Sequence, residues 1–103
     1  MKAILIQPRE NNFLDSVLLY KTFEVSELRM DGAVLNIEDC DIFYPFECFV
    51  IVDIEQETKN LREIGRAFYD LNEGREEKIE MPEKIKEQAQ LFGAYCNNKK
   101  ISF

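Results

Sequence analysis

The chain has 103 residues, 46% hydrophobic and 32% charged, with a net charge of −7, which fits one soluble globular domain spanning 1–103 and excludes a disordered one. Its longest apolar run is about five residues, where a spanning helix needs about 20, and the apolar run at 3–6 is too short for a secretory signal. A cytoplasmic location with no membrane contact is therefore expected. With no His, and with Cys40, Cys48 and Cys96 at no zinc spacing, Cys/His metal sites and His-activated Ser or Cys nucleophiles are excluded, and the thiols are expected to be buried and inert.

Residues 2–7, KAILIQ, read as a strand closed by Pro8. Residues 12–22 fit two structures. Asn12 with Asp15 resembles a helix start, and Phe13, Leu14, Val17 and Leu18 fit helical spacing; SVLLYKTFEV also reads as a β-rich run. The helix is the preferred reading.

Asp31–Gly32 is a two-residue hairpin signal. Pairing outward from it sets Met30 against Ala33, Leu28 against Leu35 and Ser26 against Ile37 on one face. Arg29 against Val34 and Glu27 against Asn36 lie on the other. Pro45 breaks the chain after the hairpin. Residues 48–54, CFVIVDI, are apolar on both parities, which predicts a central strand covered on both sides.

Two helices close the chain. The first is expected to start at Asn60, with Glu63 three residues later, and to stop at Gly74; its stripe is Leu61, Ile64, Phe68 and Leu71. The second starts near Pro82 with a stripe of Ile85, Ala89, Phe92 and Cys96, and Gly93 is expected to end it early. The order predicts an α+β domain: an antiparallel sheet of about three to five strands with two C-terminal helices packed on one face, where the hairpin's apolar face meets the first helix's stripe.

Charge is unevenly placed. Residues 30–58 hold eight acids and no Lys or Arg, while the rest of the chain holds twelve acids against thirteen bases. Direct nucleic-acid binding by that segment is disfavoured, because phosphate contacts need cations. Asp53 after FVIV sits where phosphotransfer enzymes hold Mg²⁺, but no Gly-rich phosphate loop accompanies it. Asp39 and Asp41 lack the glycine of a calcium loop, so no metal and no cofactor is expected. Lys59, Arg62 and Arg66 form a basic stripe of the kind that solvated helix faces carry.

The remaining candidate is a protein-binding surface: Glu38, Asp39, Asp41, Glu47, Glu55 and Glu57 as one exposed negative rim, bordered by at least one of Phe43, Tyr44 and Phe46 as an aromatic anchor, although aromatics beside a proline also fit a core or a lid. This reading makes the chain a non-enzymatic inhibitor or regulatory partner, a nucleic-acid mimic of the sort viruses and mobile elements encode. Its partner would be a protein with a basic surface, one that normally holds nucleic acid being a natural choice. The alternatives are a homodimeric accessory subunit and, further off, a Mg²⁺-dependent enzyme built on Asp53.

Overall fold

The computed structural model describes residues 1–102. These form a five-stranded antiparallel sheet followed by two helices, the α+β class that the sequence predicts. The strands are β1 (Lys2–Leu5), β2 (Thr22–Leu28), β3 (Gly32–Ile37), β4 (Cys40–Pro45) and β5 (Phe49–Ile51), ordered β4-β3-β2-β1-β5; α1 is Ile54–Asn72 and α2 is Glu83–Asn98.

The two edge strands, β4 and β5, are joined only by a 3-10 turn at Phe46–Cys48. Four Cα–Cα steps lead from Pro45 to Phe49 and reach at most about 14 Å. In a flat sheet the outer strands would lie about 19 Å apart even at the same level. The sheet must therefore curl on itself, and a bulge between Val25 and Glu27 in β2 adds to its twist. Inside the curl lie Ala3, Leu5, Leu28, Ala33, Leu35, Ile37, Tyr44, Cys48, Phe49 and Ile51. The C-terminal half of α2 completes this core with Phe92, Tyr95 and Cys96. Tyr95 stacks on Phe49 at 5.8 Å and meets Phe46 edge-on at 5.5 Å, and its hydroxyl accepts the Ile51 N–H at 2.6 Å.

The hairpin forms, but two residues out of the expected register. Leu28 pairs with Ala33, and the Arg29 N–H bonds the Gly32 carbonyl at 2.8 Å, so Met30 and Asp31 make the turn. Gly32 is buried because β4 needs its missing side chain: the Tyr44 carbonyl and the Phe43 ring occupy the place a Cβ would take. Leu28, Leu35 and Ile37 are buried as expected; Met30 is exposed, and Ser26 falls at the bulge. The turn whose two residues both have positive φ is the next one, Glu38 (49°) and Asp39 (67°), between paired Ile37 and Cys40. That is the conformation two-residue hairpins favour.

Other boundaries depart from expectation for physical reasons. Residues 13–18 are a 3-10 turn rather than an α-helix, and β2 starts at Thr22. The expected central strand at 48–54 is the three-residue edge strand β5, covered on one side only: Phe49 and Ile51 are buried toward α2, while Val50 is half-exposed and Val52 exposed. Helix α1 begins at Ile54, because Glu57, Thr58 and Leu61 continue one half-buried face, so Asn60 caps nothing. Gly74 does follow its end, with φ 77°. Helix α2 runs through Gly93 to Asn98, since buried Phe92, Tyr95 and Cys96 hold that segment on the core.

Among the described residues of α1, none is buried. Leu61 touches the core, whereas Ile64 and Phe68 are only half-covered and Leu71 is exposed. The expected seating of the whole stripe on the hairpin is thus replaced by a helical arm that runs past the sheet. The molecule measures 58 × 27 × 18 Å, and its radius of gyration of 16.3 Å exceeds the ~13 Å of a compact chain of this size.

Candidate protein-binding surface

The β1–β2 connection, residues 6–21, is held by one buried carboxylate. Asp15 is 1% exposed and takes four hydrogen bonds: Arg9 N–H (2.8 Å), Arg9 Nε (2.9 Å), Arg9 Nη2 (3.0 Å) and the Tyr44 hydroxyl (3.0 Å). The Arg9 guanidinium also lies over the Tyr44 ring at 4.6 Å. Burial pushes the Asp15 carboxyl up, but the Arg9 side chain, the Arg9 N–H and the Tyr44 hydroxyl more than reverse this and hold its pKa below the usual aspartate value. Tyr44 is pushed up to about 12, by burial first and by its bond to Asp15 second.

A 3-10 turn has three residues per turn, so positions three apart stand above one another. Asp15 and Leu18 point inward on this turn, which leaves Leu14 and Val17, with Tyr20 beyond, on the outer side. Phe13 is 90% exposed, Leu14 77%, Val17 69% and Tyr20 75%. Tyr20 also has φ 64°, a left-handed conformation uncommon for a bulky residue, and its N–H is fastened to the Leu5 carbonyl at 2.7 Å. Sequence reasoning missed this surface because the same residues fit the inner stripe of a helix. The one available signal was Asp15 amid apolar residues, with Arg9 six positions before it: a buried ion pair turns the apolar side chains out.

The sequence-predicted residues lie in three places. Glu38, Asp39 and Asp41 sit at the β3–β4 turn and the start of β4, all exposed; Asp41 accepts a 2.9 Å hydrogen bond from Ser26. Glu47 is exposed on the 3-10 turn between β4 and β5. Glu55 is exposed at the start of α1, beyond the opposite edge strand. Glu57 is only 14% exposed, and its carboxylate lies 3.8 Å from the Met1 ammonium. Glu57 therefore leaves the expected rim, while Glu38, Asp39, Asp41, Glu47 and Glu55 stay exposed.

Of the three aromatic anchors, Tyr44 and Phe46 are buried: Tyr44 carries the Asp15 network and Phe46 packs on Tyr95 and Phe49. Large aromatics beside Pro45 fill the core because they bury more apolar surface than any alternative there. Phe43 stays half-exposed on the outer face of β4, under Arg29 at 5.8 Å. Cys48 and Cys96 are buried free thiols, whereas Cys40 is exposed, contrary to expectation. Burial raises the pKa of both buried thiols; for Cys48, Glu47 and Asp15 add to it.

Among the described residues, no three His, Cys, Asp or Glu side chains are grouped as a metal site, and no helix is long and apolar enough to cross a membrane. Asp53 precedes α1 and accepts the Lys2 N–H at 3.2 Å. The sheet-forming residues 1–53 hold ten acids against four bases, and residues 54–103 hold ten against nine, of which Lys99 is carried by α2 back onto the sheet lobe, 6.0 Å from the Phe49 ring. Three of the four bases in residues 1–53 already face acids of the same stretch: Lys2 with Glu24 (3.9 Å), Arg9 with Asp15 (2.9 Å) and Arg29 with Glu27 (3.0 Å). In comparisons with known proteins, no family model, no curated protein and no solved structure matches the chain.

Proposed function

We propose that the chain is a small non-enzymatic protein-binding module, an inhibitor or regulatory partner whose acidic sheet lobe docks on a basic protein surface. The observation that carries this reading is the partition of charge along the chain: the sheet-forming residues 1–53 carry a net −6 out of −7, with three of their four bases already engaged, while α2 returns Lys99 to the lobe over the Phe49 ring. Such a lobe attracts a cationic surface from a distance and repels nucleic acid, so a protein that normally grips phosphates is a suitable partner.

The test is biolayer interferometry of the chain against a panel of purified basic nucleic-acid-binding proteins at rising salt, with duplex DNA as competitor. Saturable binding that falls steeply with salt and is displaced by DNA is expected. Binding to none of them, or binding indifferent to salt, contradicts the reading.

A second reading, a homodimeric accessory subunit, is favoured by α1, whose apolar face is left half-covered along an arm of nearly neutral charge. Sedimentation equilibrium decides it: a dimer has twice the 12.2 kDa of one chain.

A further inference from the structure

We propose that the β1–β2 loop, through Phe13, Leu14, Val17 and Tyr20, is the anchor of the docking surface, and that its occupant is a partner segment in which apolar side chains alternate with Lys or Arg. This inference rests on the acidic-module reading and adds to it the place of contact and the chemistry of the ligand.

The first argument is area. Side chains of this kind, 69–90% exposed, present roughly 600 Å² of apolar surface together. The largest apolar patch on an ordinary monomer is about 300–600 Å², and a standard interface uses about 800 Å² per partner. One short loop therefore supplies most of one side of an interface.

The second argument is order. A flexible loop would lose entropy on binding; this one is already fastened by the four bonds to Asp15, by Asn12 N–H to the Arg9 carbonyl (3.1 Å) and by Tyr20 N–H to the Leu5 carbonyl (2.7 Å). The inward side of the turn is used for holding, so the apolar side is free for contact.

Charge selects the occupant. Within the loop, Glu10 and Lys21 are both exposed and Arg9 pairs with Asp15, so its own charges cancel and the surrounding acidic lobe sets the preference. Glu47 neighbours Cys48, whose carbonyl accepts the N–H groups of Ile6 (2.8 Å) and Gln7 (3.2 Å) at the loop's base. A second copy would bring two acidic lobes together, and an anionic lipid surface or nucleic acid would meet the same repulsion. A cationic protein segment with apolar side chains satisfies both the patch and its border.

The experiment is a ¹⁵N NMR titration of the full chain with two synthetic dodecamers of equal charge, one alternating Lys and Leu, the other Lys and Ser. The Lys-Leu peptide is expected to shift the amides of residues 13–20 and to bind at least tenfold more tightly than Lys-Ser. The double variant Leu14→Ser, Val17→Ser, which leaves the charge unchanged, is expected to lose that tenfold while keeping its spectrum and Tm, since both side chains point to solvent. Shifts confined to other residues, or an unchanged affinity in the double variant, overturn the loop as anchor; salt-sensitive Lys-Ser binding to the lobe would leave the acidic-module reading standing. Absence of binding by either peptide overturns both. Preferential binding of the loop to phosphatidylserine vesicles over the Lys-Leu peptide overturns the choice of occupant.

Discussion

Asp15 explains why apolar side chains nearby stand in water. A carboxylate removed from solvent is tolerable only when paired and fully hydrogen-bonded, and Arg9 with Tyr44 supplies that pairing. Asp15→Asn should cost about 2–3 kcal/mol in urea denaturation, below the ~3–5 of a fully buried pair because Arg9 is 29% exposed. The sign of its pH dependence comes from the lowered pKa. Its stabilisation is complete above the ordinary aspartate range near pH ~4 and is lost as the pH falls through the still lower folded value. Asp15→Asn should therefore flatten the acid limb of the stability profile, and an unchanged limb would contradict this role. Asp39 has a different task. At φ 67° it holds a conformation that glycine adopts without strain, so Asp39→Gly should stabilise the chain by about 0.5–1 kcal/mol, read as a rise in the urea midpoint. A loss of stability there would contradict the turn assignment.

At the level of elements, the existence of β1, of the strands flanking the first hairpin and of both helices was legible, because alternation, helical spacing and the stop at Gly74 are local properties. The faces and ends were less so. Gly32 reads as a turn residue until β4, at no fixed sequence distance, needs its space. The two-sided apolar pattern of residues 48–54 overstates coverage: Phe49 and Ile51 are buried, with Tyr95 stacked on Phe49, while Val50 is half-exposed and Val52 is exposed on the other side of an edge strand. Tyr44 and Phe46, beside Pro45 and among acids, fit both a core and an anchor, and the curl of the sheet decides for the core. On the helices, equal apolar residues have unequal weight. Phe92→Ala, in the core, should cost about 3–5 kcal/mol. Phe68→Ala, half-covered on the arm, should cost about 1–1.5 kcal/mol. Equal losses in parallel urea titrations would mean the arm is packed as firmly as the sheet lobe.

The whole molecule divides its labour along its 58 Å length: a curled, strongly acidic lobe bearing a fastened apolar loop, and a nearly neutral helical arm. Long-range attraction acts mainly on encounter, whereas desolvated apolar contact acts mainly on escape. If the lobe steers a cationic partner and the loop holds it, the two should separate kinetically. The measurement is surface plasmon resonance of the full chain and of the charge-neutral Leu14→Ser, Val17→Ser variant against one immobilised Lys-Leu peptide over a series of salt concentrations. The account predicts that salt slows association of both proteins steeply, and that the variant dissociates at least tenfold faster than the native chain at every salt concentration. Association indifferent to salt, or a variant that dissociates at the native rate, would contradict it.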